Sequence, residues 1–271
     1  FFSTHTPPPQ ILSGLVGSEM CIRDRARRFA SMGSKLILCG RRKEKLKILA
    51  QELGGSHQLL IFDVRDKKAV FKAINSLPED YKKIDLLINN AGNAHGMDPV
   101  QSADLDDWDA MIDGNVKGLM YVTKAVLPSM VNLRKGQIIN LGSIAAKEVY
   151  PNGSVYCSSK AAVDFFTKGL RIDLNPIGIR VGAIHPGLVE TEFSEVRFKG
   201  DLERSEKVYK GMQALSADEV ADAIIYMAQV PEKVNIADLV ILPTRQANAY
   251  VNNRIKSVSY THLTLPTNRE V

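Results

Sequence analysis

What the sequence lacks narrows its class before any motif is read. Cysteine is scarce: Cys21, Cys39 and Cys157 are odd in number and widely spaced, which fits neither a disulfide framework nor a zinc pattern. No metal is expected, and a reducing cytoplasmic setting suits the thiols. No uninterrupted apolar run approaches the ~18 residues of a membrane span. The N-terminus also lacks the basic patch and apolar block of a signal peptide, so no membrane association is expected. An excess of one charge is missing too. Thirty-five Lys and Arg face 30 Asp and Glu, a net +5, and the two signs are interspersed rather than massed, so no nucleic-acid partner is expected. There is no internal repeat and no low-complexity linker. With 45% hydrophobic and 24% charged side chains in 271 residues, disorder, collagen and coiled coil are excluded for the chain as a whole.

The two ends stand apart. The chain opens Phe1-Phe2-Ser3 rather than with Met, as a fragment or a processed translation does. Residues 16–25 and 257–271 resemble translated sequencing-library adapter. Residues 1–25 and 257–271 are therefore expected to be non-native, leaving residues 26–256 as one functional domain.

Within that region short apolar runs alternate with amphipathic stretches. Strands are predicted at Lys35 to Cys39, Leu59 to Phe62, Ile84 to Asn89, Gln137 to Leu141, Ile179 to Ile184 and Leu239 to Leu242. Their nearly continuous apolar character suits strands covered on both faces. Between them the period is 3.6. Trp108, Ile112, Asn115, Leu119, Val122 and Val126 share one face of a long helical segment opened by Asp104, and Ser216 to Glu219 form a capping box. Strand alternating with helix through short connections implies an α/β fold: a Rossmann-like, doubly wound parallel sheet with right-handed crossovers, in a single domain. Its first strand and glycine-rich loop are doubtful, since only Ile11 to Leu15 imitate a strand before residue 26.

Tyr156 and Lys160 are spaced i, i+4 in a predicted helix from Ser154 to Leu174, so both project from one face. A phenol is a poor base at neutral pH. An ammonium ~4 Å away at an effective dielectric of ~20 favours phenolate by up to ~4 kcal/mol, which predicts a Tyr156 pKa about three units lower. Alone, this spacing also occurs on solvated helix faces. Its context is what carries weight. Ser143 follows the strand ending at Leu141, Asn89-Asn90-Ala91-Gly92 closes the preceding strand, and His185-Pro186-Gly187 closes the next one. In an open parallel sheet, ligands bind beyond these carboxyl ends. At the end of the second strand, where an NAD-selective sheet carries an acid, stand Cys39-Gly40 and then Arg41 and Arg42. Either arginine could clamp a 2′-phosphate, which predicts NADP.

With these residues in view, the chain resembles the short-chain dehydrogenase/reductases, and more narrowly the NADP-dependent 3-hydroxy acid dehydrogenases of the serine 3-dehydrogenase-like branch. The resemblance spans roughly residues 26–247. It implies that Tyr156 is the general acid/base, that Ser143 polarises the substrate oxygen, and that Lys160 tunes the phenol and holds the nicotinamide ribose. Asn115 would support a water-mediated proton path to Lys160. It further implies cofactor contacts from Arg41, Arg42, Asp63, Val64, Asn89, Asn90, Ala91 and Gly92, and from Pro186, Gly187, Val189 and Thr191 around the carboxamide. The implied substrates are small 3-hydroxy acids such as serine, allo-threonine or 3-hydroxypropionate. Arg197 is the candidate for their carboxylate, with Lys199 close by in the same variable segment. Another carbonyl or 3-ketoacyl reductase, or a catalytically idle dinucleotide binder, are the alternatives. A homodimer or homotetramer is implied. One departure stands out: the family's TGxxxGxG loop would place glycines where Val16, Met20 and Ile22 stand. Weak dinucleotide binding is therefore expected of this chain.

Overall fold

The computed structural model describes residues 10–14 and 19–255. In chain order these form β1 (Gln10–Gly14), α1 (Glu19–Ser31), β2 (Lys35–Gly40), α2 (Lys43–Leu53), β3 (Gln58–Ile61), α3 (Lys67–Asn75), β4 (Leu86–Asn89), α4 (Leu105–Met111), α5 (Leu119–Leu133), β5 (Gly136–Leu141), α6 (Ser154–Leu174), β6 (Ile179–Pro186), α7 (Phe193–Arg197), α8 (Leu202–Tyr209), α9 (Ala217–Gln229) and β7 (Asp238–Ile241). The strands make one parallel sheet in the order β3-β2-β1-β4-β5-β6-β7. Its strand order reverses between β1 and β4, and clefts form at such a switch point.

Side-chain alternation along the strands divides the core between two faces. Ile37, Leu87, Ile138 and Val181 pack with Val70 of α3, Val122 and Val126 of α5 and Leu170 of α6. Leu36, Leu38, Ile88, Ile139 and Ile184 pack with Phe29 of α1, Leu46 of α2 and Ile224 of α9. Each such buried aliphatic side chain contributes about 1.5–3 kcal/mol. The capping box at Ser216 and Glu219 opens α9 as predicted, and α6 has the predicted bounds.

Within residues 1–25, Gln10–Gly14 is the middle strand of the sheet, with Ile11 in register with both Leu36 and Leu86. The reason is hydrogen bonding: the facing edges of β2 and β4 each carry unpaired amides that only an intervening strand can satisfy. Glu19–Ser31 then returns as α1 against α9, where Arg28 pairs with Asp222 at 2.7 Å. The ordered domain thus extends N-terminal to residue 26. Val16 and the tail 257–271 lie outside the described residues, while Met20 and Ile22 fall within α1.

The predicted long helix is interrupted. Between α4 and α5, residues Ile112–Gly118 take a π turn. Gly118 lies against the Val64 side chain, and a Cβ there would come within 2.6 Å of it. The wider turn carries Asn115 into the interior.

Gly182, inside β6, backs directly onto the carbonyl of Ile236 with no room for a Cβ. Gly182→Ala should therefore destabilise the fold by about 1–3 kcal/mol, read as a lower urea midpoint with an unchanged slope. An unaltered midpoint would show that this contact is soft.

Candidate active site

The carboxyl ends of β4, β5 and β6 open onto a cleft of about 720 Å³. Ser143 enters it from the loop after β5. Its backbone is extended, and its Oγ accepts from the Ala145 amide at 3.1 Å, capping a short 3₁₀ turn. The Ser143 side chain faces the Tyr156 phenol and favours its ionised form. Tyr156 rises from the first turn of α6, its ring 5.8 Å edge-on from Phe193. Lys160, one turn later and 4% exposed, donates from Nζ to the carbonyl of Leu141 at 3.0 Å. The predicted trio thus lines one cavity.

Gly92 closes the floor beneath Lys160. A Cβ at Gly92 would lie 2.9 Å from Lys160 Nζ and 3.4 Å from Asn115 Oδ1, so the glycine is what lets the ammonium and the amide come together. Asn115 has no solvent exposure. Its Oδ1 accepts from the Asn93 amide at 2.7 Å, and its Nδ2 donates to Asn93 O at 2.8 Å and Ser159 Oγ at 2.9 Å. It stands behind the cleft wall as a fully bonded strut.

Of the predicted cofactor contacts, Asn90, Gly92, Pro186, Gly187, Val189 and Thr191 line the cleft. Asn89 does not. Its amide donates to Asn140 Oδ1 and Thr123 Oγ1, both at 2.9 Å, and Asn140 donates onward to Thr167 at 2.8 Å. This is a buried polar ladder tying β4 and β5 to α5 and α6. Ala91 is likewise core. Asp63 and Val64 lie just beyond β3, outside the cleft lining. Val64 is buried, and Asp63 holds Arg65 at 2.7 Å and Arg41 at 3.5 Å. Burial works against the Asp63 carboxylate, but the bonds from Arg65 outweigh it and hold its pKa low. Arg42 is exposed at the start of α2.

Residues 21–201 match the sequence profile of the short chain dehydrogenases. The chain belongs to that family. Among curated short-chain dehydrogenase relatives, an NADP-dependent 3-hydroxy acid dehydrogenase, YdfG of Escherichia coli, is 45% identical over 243 residues, 89% of this chain and 97% of its own. Sulfoacetaldehyde reductase 2 of Chromohalobacter salexigens is 47% identical over 228 residues, 83% of this chain and 90% of its own. Among solved structures, the closed form of serine dehydrogenase complexed with NADP+ superposes with a TM-score of 0.85 at 42% identity, covering 91% of this chain and 99% of the other.

The electrostatics of this family member differ from the sequence expectation. The phenol of Tyr156 is pushed up, not down: burial dominates and nearby Tyr150 adds to it, while Ser143 and Arg197 only partly offset them. Lys160 does not acidify it in this structure. The same burial lowers Lys160 itself to about 8. The expected lowering counts only the attraction between the two charges; here both groups are desolvated, which penalises each one's charged form.

Of the two cations expected after Thr191, Arg197 reaches the cleft and Lys199 does not, whereas Arg25 and Gln246 line it with no signal in the sequence. Arg197 donates from Nε to Gly96 O at 3.0 Å, and its guanidinium lies 5.5 Å from the ring centre of Tyr150 and 5.7 Å from that of Tyr156. Lys199, by contrast, turns away to Asp107 at 2.9 Å. Arg25 of α1, in the segment set aside, is buried and lines the cleft. Gln246 accepts from the Leu188 amide at 2.7 Å, fastening the loop after β6.

Lys160 sets a pH signature. The unfolded chain keeps the ordinary lysine value near 10.4, so between pH 8 and about 10.4 it binds more protons than the folded chain, and stability rises with pH across that window. The gain is up to about 3 kcal/mol, and it is absent below pH 8. Urea titrations of the free chain should show this rise, and Lys160→Met should flatten it. A flat wild-type profile would contradict a desolvated ammonium.

Proposed function

We propose that this chain is an NADP-dependent oxidoreductase that interconverts a small 3-hydroxy acid and its carbonyl partner. The observation that carries this reading is the convergence of Ser143, Tyr156 and Lys160 on one cleft, with the Arg197 guanidinium over the same phenol ring. Two features of the structure suit an NADP(H) ligand: the Gly92 floor beneath Lys160, and Arg41 with Arg65 beyond β2 and β3, where no acid closes β2. Asn90, Gly92 and the loop from Pro186 to Thr191 would line the nicotinamide end, and Lys160 would hold the ribose. The relatives that bind or depend on NADP support the same choice.

When bound, the nicotinamide supplies the hydride. The chain's own residues manage the oxygen. Burial keeps Tyr156 protonated at neutral pH, which suits it to donate its proton to a carbonyl oxygen as that oxygen gains charge. The Ser143 hydroxyl, on the same cleft wall as the phenol, would direct the same oxygen. Arg197 offers a charge-assisted contact for a carboxylate. A sulfonate fits the same cation, and the similarity to a sulfoacetaldehyde reductase favours an anionic small molecule over an apolar ketone or a thioester-bound chain.

Two further proposals accompany this one. The outward face of α6 exposes Phe165 and Ile172, which supports a homodimer or homotetramer built on that helix, and the buried free thiols Cys39 and Cys157 suit a reducing cytoplasm. Residues 1–25 and 257–271 are proposed to be foreign in origin, with β1 and α1 completing the sheet in place of the native segment.

Tyr156→Phe is expected to lower kcat by about 10²–10⁴. Arg197→Ala should raise KM for carboxylate substrates by about 10–100-fold, as loss of a hydrogen bond to a charged group implies, and leave an uncharged ketone within about twofold. Equal effects on both substrates would remove Arg197 from the role. Because Val16, Met20 and Ile22 replace the glycines that let backbone amides approach a pyrophosphate, NADPH fluorescence titration should give an affinity weaker than micromolar. Restoring the three glycines should tighten it at least about tenfold. Micromolar binding by the chain as it stands would contradict this.

A further inference from the structure

Behind the loop that presents Ser143 lies a charge cluster, buried at His185 and Asp164 and open to solvent at Asp238, that the proposed reaction leaves without a role. His185, at the end of β6, has no solvent exposure. Its Nδ1 lies 3.1 Å from the carbonyl oxygen of Ser143. A carbonyl can only accept, so Nδ1 carries a hydrogen whether the ring is neutral or charged. On the other side of the ring, Nε2 lies 3.1 Å from Asp238 Oδ1 and 3.6 Å from Asp164 Oδ1 without a hydrogen bond to either.

Lys147, at the end of the same short loop, reaches both of these carboxylates, Asp164 at 3.1 Å and Asp238 at 2.5 Å. Lys168 occupies the other oxygen of Asp164 at 2.9 Å. The Asp–His–Asp group gathers its ligand atoms within 4.8 Å, but the ammonium of Lys147 already serves as the cation against both carboxylates. Gly142 completes the seat: a Cβ there would overlap the imidazole ring of His185.

The Ser143–Lys147 segment is thus fastened at both ends to one anchor built from α6, β6 and β7. At its first end the fastening grips the backbone of the residue whose side chain faces the Tyr156 phenol. The Ser143 carbonyl accepts from the Ala146 amide at 2.9 Å within the 3₁₀ turn and meets the imidazole from the other side, so the ring is the contact that ties this turn to the sheet. Rotating that peptide would carry the serine side chain with it.

We propose that His185 is a positioning residue for Ser143: its Nδ1 and its ring, packed against Gly142, hold one end of the loop while Lys147 holds the other, and together they aim the serine hydroxyl at Tyr156. This inference rests on the catalytic reading above, and its test separates the two. In a chain labelled with carbon-13 at tyrosine Cζ, the Tyr156 resonance, assigned with Tyr156→Phe, reports the contact with Ser143 without any cofactor. Ser143→Ala marks where the resonance falls when the hydroxyl is gone.

His185→Leu, which keeps bulk and removes the donor, is expected to move the resonance most of the way to the Ser143→Ala position. His185→Asn, whose amide nitrogen overlies Nδ1, is expected to return it. If His185→Leu fails to fold, Lys147→Met cuts the other tether at a partly exposed position, and the same displacement is expected of it. Under saturating NADPH the displaced variants should lose about tenfold in kcat, equivalent to about 1.4 kcal/mol, with NADPH affinity changed less than about twofold. A folded His185→Leu, or Lys147→Met in its place, that keeps the wild-type resonance overturns the proposal. So does a His185→Asn that behaves like the leucine variant. A wild-type chain without turnover on any carbonyl, but with the displacement intact, would count against the oxidoreductase reading while supporting the positioning role.

Discussion

The site depends on a single amide being accommodated inside a helix. Asn115 cannot leave its side chain unbonded at zero exposure, and a regular α-helical turn would not bring it to the loop after β4. The π turn Ile112–Gly118 resolves the conflict. With it, one side chain ties the Asn93 backbone, the α4–α5 segment and Ser159 of α6. Ser159 precedes Lys160, so the knot also fixes the height of the ammonium over Gly92. π turns of this kind are frequent at functional sites, and here the reason is explicit: three walls of the cleft share one donor–acceptor group.

Burial then decides the electrostatics. The desolvation that raises the Tyr156 phenol also lowers Lys160, leaving an acid beside a weakened cation on one cleft wall. Such a pair is already in the protonation state that carbonyl reduction requires of its proton donor. The Arg197 guanidinium stands 5.7 Å from the centre of the same phenol ring.

Much of this was legible in the sequence. The alternation of apolar runs with 3.6-period stretches predicts the sheet, and Tyr156, Lys160, Ser143 and the strand-end motifs predict the cleft, because strand order forces their carboxyl ends onto one edge. Other features were not legible, for physical reasons. A five-residue strand such as Gln10–Gly14 has too few residues to show a period, and only its place between β2 and β4 defines it. Pair spacing along α6 carries no information about solvent, so the direction of the Tyr156 shift could not be read from it. Asn89 and Ala91 share a motif with Asn90 and Gly92, but the pleat sends alternate residues to opposite sides, and only Asn90 and Gly92 reach the cleft. Asp164, His185 and Asp238 come from three separate elements, so no local pattern announces them.

The crowding of Gly142 against His185 has an evolutionary corollary. The two positions lie on neighbouring strands' ends and occupy one shared volume. A lineage that acquires even a methyl group at 142 must first shrink or surrender the ring at 185, while one that keeps a small residue at 185 is free to vary at 142. Substitutions at these sites should therefore be inherited as a pair, in a fixed order, rather than accumulating independently.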